Sequence, residues 1–150
     1  MKICFLDKTE FQYNYHDINK SFIRGAENVL INLSNTISNL GHDVVVFNNC
    51  SKEKVSSNYS WLNIKRLEKK NYYFDIAISN NDTRLLDNII SNKKFVLSHS
   101  LITLEKFLRK KQLKSYIKNK PVYLLLGNYH KSKMSKLFSI YGTKIIEYGL

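Results

Sequence analysis

Apolar residues along this chain fall into two alternating patterns, short unbroken runs and longer stripes at helical spacing. Ile3-Cys4-Phe5-Leu6 is the first run. After a polar loop, Ala26, Val29, Leu30, Leu33, Ile37 and Leu40 stand at offsets 0, 3, 4, 7, 11 and 14, one continuous face of an α-helix. Gly41 supplies the left-handed residue that ends such a helix. Asp43 then leads into Val44-Val45-Val46-Phe47, the uninterrupted run of a strand covered on both faces. Strand, helix and strand make a β-α-β unit.

The same alternation continues. Asp75-Ile76-Ala77-Ile78-Ser79 reads as a buried strand, with Asn80-Asn81-Asp82 as turn and capping material. Leu85, Leu86, Ile89 and Ile90 repeat at helical spacing and predict a helix. Phe95-Val96-Leu97 is the next strand, ending at Ser98-His99-Ser100. Leu101, Leu104, Phe107, Leu108, Tyr116 and Ile117 predict a further helix whose apolar phase breaks around Gln112. Pro121, the only proline, opens a strand from Val122 to Leu126, a place where a missing N–H is tolerated. Met134, Leu137, Phe138 and Tyr141 mark another helix stopped by Gly142, and Lys144-Ile145-Ile146-Glu147 is the last strand. Residues 51–74 are the least regular, with one strand around Trp61 to Ile64. Tyr72-Tyr73-Phe74, beside Lys69 and Lys70, reads as strand-flanking core in preference to a base-stacking surface. Alternating β and α elements imply an α/β fold, a Rossmann-like doubly wound parallel sheet of six or seven strands with the first one central. One domain of 150 residues accommodates it.

Composition narrows the class. With 43% hydrophobic and 13% aromatic residues the chain can bury a core, so disorder is not expected. No window approaches the ~20 apolar residues of a membrane span, and no leader-like segment precedes the first strand, so a cytoplasmic protein is expected. Two cysteines without metal-ligand spacing read as reduced thiols. Charge changes the picture more: 24 basic residues face 12 acidic ones, a net +12 that attracts polyanions. Residues 106–120 hold Lys106, Arg109, Lys110, Lys111, Lys114, Lys118 and Lys120 and no acid. Arg109, Lys110, Lys111 and Lys114 form a candidate patch for an anionic acceptor or the inner face of a membrane, against the plain alternative of a solvated helix surface.

The β-α-β unit resembles the start of family 4 glycosyltransferases, sugar transferases of the GT-B type. Their N-terminal halves open with a strand, a loop often reading Gly-Gly-x-Glu, a helix, and Gly-His-Asp/Glu-Val before a second strand. Gly25, Glu27, Gly41, His42, Asp43 and Val44 match these positions, while Arg24 replaces the first glycine of the pair. Ile145-Ile146-Glu147-Tyr148-Gly149-Leu150 falls where that half closes. The resemblance implies a glycosyltransferase N-terminal, acceptor-binding domain. A C-terminal donor-binding domain, with its pair of glutamates, would be missing or a separate chain. No cofactor other than a nucleotide-sugar donor is implied, and transfer would be metal-independent. This chain alone would then be inactive. It would bind a glycan or lipid-linked acceptor, with possible contact to the membrane surface.

Ligands of doubly wound sheets bind beyond the carboxyl ends of the strands. That rule gathers Arg24, Gly25, Asn48, Asn49, Asn80, residues 98–100 and residues 128–130 onto one rim. The resemblance assigns His99 to the interdomain cleft near the transferred sugar. Arg24 and Asn128 are further candidates for acceptor or sugar contact, and Gly25 for a supplementary phosphate contact at the helix N-terminus. No GxxxxGK[ST], GxGxxG, HExxH or GxSxG motif occurs. Asp7 ends the first strand, where hydrolase and receiver folds keep acids, but the cluster a receiver needs is missing from the pattern. The alternative function is a non-catalytic basic Rossmann-like module that binds RNA or an anionic membrane.

Overall fold

The structure, a computed structural model, describes residues 1–101 and 103–146. Seven strands form one sheet: β1 (Lys2–Leu6), β2 (Asp43–Asn48), β3 (Tyr59–Asn63), β4 (Tyr72–Asn80), β5 (Ile89–Ser98), β6 (Val122–Leu125) and β7 (Thr143–Ile145). Their order is β3-β2-β1-β4-β5-β6-β7, and every neighbouring pair is parallel. This is the Rossmann-like doubly wound arrangement expected from the sequence. β1 lies inside the sheet, but β4 takes the middle position. Only one isolated antiparallel bridge, Lys54 to Trp61, departs from the pattern among the described residues.

Alternation along the strands divides the core in two. Ile3, Phe5, Val44 and Val46 point to the face that α1 (Gly25–Asn39) covers with Leu30 and Ile31. Cys4, Leu6 and Phe47 point to the opposite face, where Phe107 of α2 (Leu104–Arg109) and Tyr116 of α3 (Leu113–Asn119) pack with Phe138. Successive side chains of a strand must face opposite ways, so unbroken apolar runs are the signature of this double cover. Gly41 has φ +85° and lets the chain leave α1, as its position implied.

Three expectations need correction. Leu85, Leu86, Ile89 and Ile90 do not share a helix: Thr83–Asn88 is a 3-10 turn, and Ile89 already begins β5. The register explains why. Ile89 is level with Tyr72 and Leu97 with Asn80, so residues 81–88 must return the whole height of β4. Six residues advance about 12 Å as a 3-10 helix but about 9 Å as an α-helix, and the longer rise is needed. Parallel crossovers usually take a dozen or more residues; this one is nearly taut.

The basic helix is also not continuous. α2 and α3 are separated at Lys111, whose φ of +54° breaks the backbone at the place where the apolar phase failed. The predicted helix from Met134 to Tyr141 is likewise not formed: that span holds only a 3-10 turn, Lys136–Ser139, and the short helix α4 (Asn128–Lys133) ends before it. Met134 caps α4 in extended conformation. Glu147 and the three residues after it, invoked in the closing segment, lie outside the described residues.

Candidate functional site

The strand order reverses between β1 and β4, so their carboxyl ends open the crevice in which doubly wound sheets hold ligands. A buried polar network crosses four adjacent strands at this rim. Trp61 Nε1 of β3 donates to Asn48 Oδ1 of β2 at 2.6 Å. Asn48 Nδ2 donates to the Tyr13 carbonyl at 2.8 Å. Tyr13 Oη donates to Asp7 Oδ2 at 2.5 Å, and Asn80 Nδ2 of β4 donates to Asp7 Oδ1 at 3.1 Å. Tyr13 is fully buried although it belongs to the long loop between β1 and α1. Its ring packs edge-on against Trp61 with centroids 6.0 Å apart, pinning that loop to the sheet.

Asp7 and Glu27 are both 4% exposed and Asn80 6%. Burial raises the Asp7 carboxyl above the ordinary carboxylate value, against the hydrogen bonds from Tyr13 and Asn80, and the Glu27 charge adds to the rise. Burial and the neighbouring Asp7 likewise push the Tyr13 hydroxyl up, so it stays protonated and donates. Glu27 stands in the first turn of α1, where an acid meets the positive end of the helix dipole. At that position it could fold back on the amide of the cap residue Arg24. It does not: Glu27 Oε2 is buried without a partner, and so is Asn80 Oδ1.

These side chains line a cleft of about 330 Å³ together with Arg24, Lys8 and Lys110. Asp7, Glu27 and Asn80 thus offer acceptor oxygens, while Lys8, Arg24 and Lys110 offer cations interleaved with two further acids, Glu10 and Asp82. A buried acceptor without a donor is unfavourable by about 1–3 kcal/mol. Two of them stand beside a carboxylate, closed off from solvent, and a ligand that donates several hydrogen bonds would pair them once the side chains turn toward the cleft.

The candidates drawn from the sequence distribute unevenly around this cleft. Arg24 lines it, with its guanidinium 4.9 Å from the Phe11 ring centre. Gly25 is the exposed first residue of α1; a Cβ there would meet nothing within 4 Å, so no close approach of backbone requires glycine. Asn128 is exposed at the start of α4. Lys110 reaches the cleft, while Arg109, Lys111 and Lys114 are exposed elsewhere on α2, α3 and the turn between them.

His99 follows β5, and its backbone N–H donates to Asn81 Oδ1 at 2.8 Å. Burial, reinforced by repulsion from His130, lowers its imidazole to about 4, so it is neutral at physiological pH. Its Nε2 is buried without a partner. His130 is itself buried, with Nε2 3.4 Å from Ser98 Oγ.

Asp7, Glu27 and Asn80 were all visible in the sequence, yet no role for the three together was. Asp7 ended a strand and Glu27 belonged to the helix-opening motif. What joins them is the path of the loop through Tyr13, which no periodicity encodes. No group of His, Cys, Asp and Glu that could hold a metal ion occurs among the described residues, and no helix among them is long and apolar enough to cross a membrane. Comparison with family models, with curated proteins and with solved structures gives no match, so the reading of this site rests on its geometry.

Proposed function

We propose that this chain binds a carbohydrate-type acceptor in the cleft at the β1–β4 switch point, as the acceptor-side half of a GT-B-type glycosyltransferase. The observation that carries this reading is the unpaired pair Glu27 Oε2 and Asn80 Oδ1 beside the buried Asp7. Vicinal sugar hydroxyls donate hydrogen bonds at short spacing, and bonds from hydroxyls to carboxylates are the stronger, charge-assisted kind. Arg24 and Lys110 at the rim suit a phosphate on a lipid-linked acceptor. His99, neutral and unpartnered, is kept as the sugar contact that forms when a donor-binding domain closes and its ring turns outward. Transfer requires that second domain and a nucleotide-sugar donor; the isolated chain binds acceptor without turnover.

Titration of the chain with an oligosaccharide and polyprenyl-phosphate-sugar panel, followed by NMR, tests the proposal. Shifts should cluster at Asp7, Glu27 and Asn80, and Glu27→Gln should weaken binding while the fold persists. Shifts confined to other surfaces, or uridine or guanosine diphosphate sugars held with micromolar affinity in this same cleft, would overturn it. The exposed Arg109, Lys111 and Lys114 support the second reading, a basic module drawn to RNA or anionic membrane. Salt-sensitive binding to any polyanion, with no response to sugars, is its signature.

A further inference from the structure

A groove larger than the acceptor cleft lies at the opposite end of the sheet from it. β5 begins well before β6: the ladder between them starts only at Phe95 and Val122, so residues 89–94 pair with β4 on one side and have no strand on the other. The end of α3 and the short β7 wall this step into a groove of about 610 Å³. Lysines converge on it from three elements and a turn: Lys93 and Lys94 of β5, Lys118 of α3, Lys120 just after α3, and Lys144 of β7. Lys120 takes φ +48°, which turns the chain sharply from α3 into β6 and sets its side chain at the mouth. No acidic side chain lines the groove among the described residues. Asp87, which does not line the groove, forms an ion pair with Lys118, 3.7 Å from its Nζ.

Lys94 is preset. Its Nζ donates to Asn119 Oδ1 at 2.6 Å and to the Leu86 carbonyl at 3.3 Å, both neutral acceptors. Asn119 is in turn fixed by donating to Asp87 Oδ1 at 2.6 Å and to the Ser115 carbonyl at 2.9 Å. An ammonium carries three donors, so one remains for a ligand in the groove. Burial and repulsion from Lys118 lower the Lys94 ammonium from its ordinary value, so the groove holds like charges at a cost that an anion would remove.

We infer that this groove binds a ligand bearing a diphosphate or longer phosphate chain. One phosphate would engage two or three of the five lysines; their spread over three elements and a turn, and a volume in the ordinary range for small-molecule sites, suit several linked phosphates. The groove is concave, and its aromatic lining is limited to Phe95, so it offers no platform on which successive bases could stack. The ligand is therefore a small polyphosphate anion, free or as the headgroup of a lipid diphosphate, in preference to a nucleic acid. This site is independent of the proposed acceptor cleft, since the two share no residue.

The test is calorimetry of the whole chain with sodium tripolyphosphate, beside flotation with vesicles that do or do not carry a lipid diphosphate. Binding of either probe that falls about tenfold or more in Lys94→Met and in the doubly exposed variant Lys93→Ala/Lys144→Ala supports the site, as loss of charge-assisted bonds predicts. Binding of tripolyphosphate indicates a soluble ligand; binding of the diphosphate vesicles alone indicates the lipid. The four-residue variant of Arg109, Lys110, Lys111 and Lys114 to alanine should leave both affinities within about twofold, because their charges lie outside the groove and are screened. Three results would overturn the inference: no binding of either probe, an equal loss in the four-residue variant, or single-stranded RNA bound in a groove-dependent way while tripolyphosphate is not.

Discussion

The two ends of the sheet are built on opposite principles. At the carboxyl end, acceptor oxygens are buried, hydrogen-bonded across four strands and left partly unpaired around a small cleft. At the amino end, exposed ammonium groups converge on a larger groove in which Lys94 is held by Asn119. The net +12 of the chain is therefore not one property. Residues 106–120 look like a single basic run, yet Lys110 stands at one end of the sheet and Lys118 and Lys120 at the other, because Lys111 breaks the helix between them. The comparison teaches that a desolvated network sets stability, while a solvated charge cluster sets affinity and is nearly free of structural consequence.

The sharpest way to break the comparison is Asn48→Ala. It leaves Trp61 Nε1 and the Tyr13 carbonyl without their buried partners and should destabilise by about 2–4 kcal/mol. Urea unfolding should show a lower midpoint with an unchanged slope. If Asn48→Ala costs no more than a surface lysine does, the carboxyl end is not a network.

A second effect is pH-dependent. The folded-state pKa of His99 is lowered to about 4 from an ordinary 6.5, so the unfolded chain takes up its proton first. Stability due to the neutral imidazole is complete above pH 6.5 and is lost as pH falls toward 4, by an amount on the order of 1 kcal/mol after allowance for partial exposure. Melting temperatures between pH 7 and pH 4.5 should fall less steeply in His99→Gln than in the parent.

Asp7 has the reverse sign. Its folded pKa is raised from 3.8, so the stability of its neutral form is complete below that value and lost as pH rises through the folded pKa. Asp7→Asn should consequently be stabilising at pH 7 by up to about 1 kcal/mol and show no gain below pH 3.8. The Tyr13 hydroxyl can donate to the new amide oxygen, and Asn80 Oδ1 can accept from the new NH₂. The same variant should lose acceptor binding, separating stability from function at one residue.

The smallest effect belongs to the lysine groove. Lys93→Ala and Lys144→Ala should each alter stability by less than about 0.5 kcal/mol, since both side chains are exposed. A stabilising change on adding tripolyphosphate, lost in the double variant, would sharpen the contrast between the two ends.

How much of this was legible depended on what each residue faces. Strands covered on both sides announced themselves: residues 44–47 and 76–78 could only be buried runs. β5 hid its first half, because Ser91, Asn92, Lys93 and Lys94 border the groove and have no apolar pattern to show. Leu86 and Ile89 then mimicked a helix, since a 3-10 turn and a strand end pack into one core at helical spacing. The order of elements fixed which strand ends share a rim, so Arg24, Asn80 and His99 were drawn together correctly as rim residues. Pairing of Asp7 with Glu27 was not legible, because the loop that brings them together is held by one tyrosine with no repeating signal around it.

The taut crossover between β4 and β5 bears on how the sheet assembles. Of the strand pairs, this one has the longest ladder and one of the shortest intervening segments, so closing it loses little chain entropy for many hydrogen bonds. It should be an early structure on the folding route, onto which β1 and β6 dock from either side. With almost no slack in residues 81–88, the pair also cannot slip by a residue and still close, so the first contact made is in the native register. Pulsed hydrogen exchange should find the amides of β4 and β5 protected before those of β2 and β3. Deletion of a single residue from the turn should slow refolding far more than an insertion there.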